Sequence, residues 1–292
     1  MSIEHASPRT RFEALLERKE ADIDLIDASL LISAEHNSAA DLNYGRRQLD
    51  ALTDRALQYF QNFPAETADS ALMARRLCTF LNTEEGFCGN REDYYNPDNS
   101  YVDYVLRERR GIPITLALLY IHIARSLSWQ ADGVGFPGHF LVTLGSDDSA
   151  IIDPFAGEVL SREDCRALLQ SHSRGTISFS EALLQPIGNK ELLQRMLRNL
   201  KMIYLQQKNF EKSLGLCDWL LLIDPNAVQD IYDRALVLER LACYGLAADE
   251  LERLINMAPL PTATVSEAAA SQKMALLKKI EHLRQLDQST FH

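Results

Sequence analysis

The chain has 292 residues, 46% of them hydrophobic and 24% charged. At roughly 150 residues per domain, that is material for two globular domains with a sizeable core. Its 41 acidic residues outnumber 30 basic ones, for a net charge of −11. The balance speaks against nucleic acid and against an anionic membrane surface, since both are held by clustered Lys and Arg.

The excess sits in front. Residues 1–100 carry 18 acidic against 10 basic residues, whereas residues 189–292 carry 13 of each. The opening stretch has no apolar core of the secretory kind. The longest apolar run, Pro113–Ala124, is too short for a bilayer. The five cysteines are widely spaced and form no CxxC. A reducing, cytoplasmic setting without a disulfide framework is therefore expected. No nucleotide-binding motif occurs and the histidines fall at no metal-ligand spacing, so neither cofactor nor metal is expected.

In chain order, Ile23, Leu25, Ile26, Leu30 and Leu31 suggest a first helix. Leu42, Leu49, Leu52, Ala56, Tyr59, Phe60 and Phe63 recur at helical steps up to Pro64, where a helix must stop. Leu72, Met73, Leu77, Phe80 and Leu81 mark another. After Asn82 the texture turns to a loop rich in Gly, Asn, Asp and Tyr. A short helix near Ser100–Arg109 follows, then Gly111-Ile112-Pro113. From Ile114 to Leu127 the chain is apolar nearly all round, which requires a helix buried on every side. Pro113 suits its first turn, where no N–H is needed.

Strand signals come next. Residues 130–136, His139–Leu144 and Ala150–Phe155 read as extended, the last two flanking a loop of about five residues. Antiparallel pairing about that loop sets His139 opposite Asp153 or its neighbour. A helix should begin near Ser161. Beyond Asn189 the chain is helical again, with Asp224-Pro225 and Ala258-Pro259 34 residues apart, as are the small residues Ser213 and Ala247. That period is the tetratricopeptide signature. Lys201 departs from it by standing where a small residue is usual, and no tryptophan opens either unit. A last helix, Val265–Leu286, would cap the array with Met274, Leu277, Ile280 and Leu283.

A buried helix followed by strands holding His and Asp is the layout of transglutaminase-like and papain-like cores. The stretches Arg110-Gly111-Ile112-Pro113, Gly138-His139-Phe140 and Ile152-Asp153-Pro154 carry that resemblance. With GFCGNREDYYNPDNSYVDYVLRERRGIPITLALLY, the chain resembles the bacterial SirB-type family over residues 20–270. The resemblance implies an α+β, helix-dominated fold: N-terminal helices and a transglutaminase-like core over residues 1–187, then a tetratricopeptide-like all-α region over 188–292.

It also implies a nucleophilic Cys at the start of the buried helix, with His139 as base and Asp153 as orienter. In register with the family pattern, Pro113 takes the nucleophile position. Proline has no thiol, so the triad is broken. Cys88 in the preceding loop is the substitute to consider, but Glu84, Glu85 and Glu92 surround it with negative charge, which disfavours a thiolate. Thr115 reads as a capping or packing residue. Tyr94, Tyr95, Asn96 and Asn99 are candidates to line the same groove, because aromatic side chains in a polar loop suit peptide recognition. The expected function is thus non-catalytic binding of a protein or peptide partner, with the repeats as a second interaction surface. The alternative is a cysteine-type amidase, protease or acyltransferase that recruits Cys88.

Overall fold

A helix without a polar face has to be enclosed, and α6 (Pro113–Ser126) is. Ile114, Leu116, Ala117, Leu118, Leu119, Ile121, Ile123 and Ala124 are all buried. A computed structural model describes residues 6–63, 69–146, 149–173, 175–257 and 267–290. Pro64, Ala258-Pro259 and Val265 lie outside the described residues, as does part of the loop expected to join the central strands.

Among the described residues the chain opens with α1 (Pro8–Leu16), α2 (Leu25–His36) and α3 (Leu42–Phe60). Asp24 caps α2 by accepting the N–H groups of Ile26 and Asp27, and Asp41 caps α3 through Tyr44. Sequence periodicity foresees α2 and α3 but not α1, which is short and buries only Phe12 and Leu15. The next helix, α4 (Ser70–Cys78), runs on into a π-helical stretch, Thr79–Glu84. Strand β1 (Cys88–Gly89) lies parallel to β2 (Arg110–Gly111), and α5 (Val102–Glu108) stands between them in the chain.

The four-stranded sheet is an antiparallel meander: β3 (Ala131–Val134), β4 (Leu141–Leu144), β5 (Ala150–Asp153) and β6 (Glu158–Leu160). Val142 pairs with Ile152 and Leu144 with Ala150, within the expected window. Strand β6 carries no alternation long enough to announce itself in sequence. On one face of the sheet lie α4 and α6. On the other, α7 (Arg162–Ser173) contributes Cys165 and Leu169 to a cluster with Val134, Leu141 and Ile151. A reciprocal cap opens α7: Ser161 N–H and Oγ–H donate to Asp164 Oδ2, and Asp164 N–H donates to Ser161 Oγ.

Two compact units result, residues 1–196 and 197–292. Their division falls inside α8 (Asn189–Gln206). The first turns of α8 pack with the core: Asn189 Nδ2 donates to the carbonyls of Glu20 and Ile23.

In the second unit, α9 (Phe210–Ile223), α10 (Val228–Arg240) and α11 (Tyr244–Met257) follow as antiparallel hairpins. Ser213 and Ala247, equivalent by the 34-residue period, are both fully buried. Lys201 is also buried, at 2% exposure, and is neutralised there. Its Nζ lies 3.1 Å from Asp230 Oδ1 and 2.6 Å from Asp233 Oδ2, while Arg198 holds the other oxygen of Asp230. Burial pulls the Lys201 pKa down, but the hydrogen bond and charge of Asp233 outweigh it and the ammonium is favoured.

The last helix, α12 (Glu267–Thr290), corrects the expected stripe. Leu276, Ile280 and Leu283 pack on the cluster around Leu251, whereas Met274 and Leu277 are exposed. The packed seam follows a spacing of four and then three residues, which rotates those two off the contact.

Removing one partner of a buried ion pair strands the other charge. Lys201→Ala is therefore expected to destabilise the protein by about 3 kcal/mol, read as a lower urea midpoint. On α6, His122 Nε2 lies 3.1 Å from Thr53 Oγ1, and burial holds its pKa below 6.5 against the opposing pull of Asp24 and Asp50. The unfolded chain takes up the proton more readily, so this contribution is complete above about pH 6.5 and is lost as pH falls below it. Unfolding free energy should drop between pH 7 and 5, and should drop less in His122→Gln.

Candidate functional site

Strand β4 begins two residues after His139 and β5 ends at Asp153, so the meander delivers both side chains to one end of the sheet. His139 Nε2 lies 3.5 Å from Asp153 Oδ2, with side-chain exposures of 9% and 8%. The carboxylate is held from behind. Its Oδ1 accepts the N–H groups of Phe155 at 2.8 Å and Ala156 at 3.1 Å, which leaves Oδ2 for the imidazole. On the far side of the ring the Phe140 N–H donates to His139 Nδ1 at 3.0 Å. The Phe140 carbonyl oxygen lies 3.3 Å from the same nitrogen.

Around this pair five rings stand in file. Tyr95 contacts Tyr94 (centroids 5.3 Å apart), Tyr94 contacts Phe155 (5.9 Å), Phe155 contacts His139 (6.2 Å) and His139 contacts His172 of α7 (5.9 Å). All four contacts are edge-to-face, the geometry that ring quadrupoles favour. The file is open at both ends, with Tyr95 65% exposed and His172 at the surface. The Arg91 guanidinium sits over Phe155, 5.6 Å from its centroid.

Two glycines make the approach possible. A Cβ on Gly89 would lie 2.5 Å from the Phe155 ring. Gly138 adopts φ +73°, and a Cβ there would meet His172 Cβ at 2.8 Å.

The other candidates are distributed unequally. Asn96 is half-buried and caps the short helix Pro97–Ser100, its Oδ1 accepting the Asp98 N–H and its Nδ2 donating to Asp93. Asn99, expected at the groove, is instead fully buried. Its Nδ2 donates to the carbonyls of Asp93 and Tyr94, and its Oδ1 accepts from Asn90. It holds the Tyr-bearing loop to the body and lines nothing.

Pro113 occupies the first turn of α6, buried. Thr115 is tied up two residues on: its hydroxyl accepts the Ile112 N–H and donates to the Asn99 carbonyl. Cys88 is half-buried in β1, where its N–H donates to the Arg109 carbonyl. Burial pushes the Cys78 thiol up to about 12 and the Cys165 thiol up to about 11, so neither is poised as a thiolate. Arg107, Arg109 and Arg110 pair with Glu108, Glu85 and Glu92 respectively. Among the described residues no group of three His, Cys, Asp or Glu side chains could hold a metal ion.

Sequence reasoning passed over Phe155, Arg91 and His172. Phe155 stands two residues beyond Asp153, at the end of the extended stretch Ala150–Phe155, and was legible as a neighbour. His172 comes from α7, with no local signal to tie it to His139.

Residues 44–198 match the model of the transglutaminase-like superfamily and residues 200–275 that of a tetratricopeptide repeat. Fold and site thus define a transglutaminase-like domain carrying helical repeats. The chain belongs to the UPF0162 protein family. A UPF0162 protein of Xylella fastidiosa (strain 9a5c) is 32% identical over 242 residues, covering 81% of this chain and 85% of that protein. One from Vibrio cholerae is 26% identical over 239 residues, covering 81% and 87%. The human F-box only protein 21 is 40% identical over 124 residues, 39% of this chain and 19% of that protein. No solved structure matches the chain.

A methyl at position 138 combines a left-handed backbone with a collision against His172. Gly138→Ala is expected to destabilise the fold by about 1–2 kcal/mol. In an NMR spectrum the His172 ring resonances should shift with it; unchanged resonances and stability would contradict the described approach.

Proposed function

We propose that the protein is a non-catalytic binding protein of the SirB type, acting in the cytoplasm. In this reading the His139–Asp153 end of the sheet holds a peptide or partner segment, and the repeats offer a second protein-binding surface. One observation carries the proposal: both nitrogens of His139 are engaged within the fold, Nε2 toward Asp153 and Nδ1 by the Phe140 amide. A general base must present a lone pair to the group it activates. With Nδ1 occupied and Pro113 in the nucleophile position, the pair serves as a rigid polar floor.

Above that floor, Tyr94 and Tyr95 supply large ring surfaces with few torsions to freeze, which suits recognition of an extended segment. The acidic surroundings select its charge. Glu92, Asp93 and Asp98 belong to the same loop, so a basic or neutral segment is favoured and its affinity should weaken with salt.

The test is affinity capture from cell lysate with the wild-type protein and Tyr95→Ala, followed by a salt titration of the captured complex. Loss of the ring should weaken binding about tenfold, equivalent to about 1.4 kcal/mol, and affinity should decline between 50 and 500 mM salt. Capture indifferent to Tyr95→Ala would sink the groove assignment. A hydrolytic or acyl-transfer activity abolished by Cys88→Ser would replace the binding reading with an enzymatic one.

A further inference from the structure

Tyr94 and Tyr95 are the two central residues of a turn that closes through the Asn96 N–H on the Asp93 carbonyl at 3.3 Å. Their ring planes stand 80° apart, and Tyr94 meets Phe155 at 69°. Each ring carries a face of negative potential that attracts a cation. The chain already uses the file in this way, since the Arg91 guanidinium lies over Phe155, the inner ring of the three. Tyr94 is 39% exposed and Tyr95 65%, and among the described residues no cation lies over either.

A counter-charge stands on the same turn. Asp93 is exposed and forms no ion pair among the described residues. It is nevertheless fixed in place. Asn96 Nδ2 donates to its Oδ2 at 3.0 Å, its N–H donates to Asn90 Oδ1 at 3.1 Å, and its carbonyl accepts from Asn99 Nδ2 at 2.7 Å. Arg91 and Arg110 set against Glu92, Asp93 and Asp98 leave one negative charge, and Arg110 is itself engaged by Glu92 at 2.8 Å.

We infer that the segment held at the ring file presents an arginine, whose guanidinium lies on the Tyr95 ring and pairs with the Asp93 carboxylate. This rests on the binding reading above and narrows its preference for basic or neutral segments to one side chain. A guanidinium is planar and weakly hydrated, so it can stack on a ring while its edge gives two N–H groups to a carboxylate. A lysine ammonium is a strongly hydrated point charge and cannot do both.

A displayed library of random octapeptides, panned on the full chain and counter-selected on Tyr95→Ala, tests the inference. The expected pool is enriched in Arg. Citrulline, which keeps the shape of arginine without its charge, should weaken a selected peptide at least tenfold, and lysine at least threefold. Asp93→Asn should also weaken it at least tenfold, although an Asn oxygen can still accept from Asn96. Peptides that need Tyr95 but bind equally well with citrulline or lysine, or to Asp93→Asn, overturn the arginine assignment and leave the binding reading standing. A pool indifferent to Tyr95→Ala, or no enrichment at all, overturns both. Thermal unfolding of the two variants checks that each keeps the fold.

Discussion

Everything in the first unit is arranged by the need to enclose α6. A 14-residue helix with an apolar residue on every side contributes about 1.5–3 kcal/mol for each large side chain buried, and only if no side is left to water. The sheet covers one side through β3 and β4, and α2, α3 and α5 cover others. The start of α6 is closed by Pro113, which lacks the orphan donor a helix start must otherwise satisfy, and by Thr115. The same residue that makes the helix start inexpensive to bury is the one that cannot attack a carbonyl.

The ring file depends on that enclosure at one remove. Thr115 reaches from the first turn of α6 to the Asn99 carbonyl, and Asn99 in turn holds the backbone of Asp93 and Tyr94. The Tyr-bearing loop is thus tethered to the buried helix through two buried side chains. Their role is to fix where Tyr94 meets Phe155.

Much of this was legible from the sequence, and for identifiable reasons. The all-apolar run gave away α6, because only one environment tolerates it. The His139–Asp153 approach followed from loop length and strand parity alone. What was not legible depends on long-range placement. Strand β6 has three residues and no pattern, and His172 reaches His139 from a helix some thirty residues later. Asn99 looked like its neighbours in a polar loop; burial, which composition does not report, separates it from Tyr95. On α12 the apolar residues outnumber the seam, so periodicity could not choose Leu276 over Met274 and Leu277.

The Asx turn at Asp153 has a consequence for how such a pair is read in any relative. One oxygen of this carboxylate fastens the corner between β5 and β6, and only the other meets the imidazole. An Asp here is therefore needed to turn the chain, whether or not there is a reaction to assist. The imidazole thus meets a carboxylate that the corner of the sheet already holds in place.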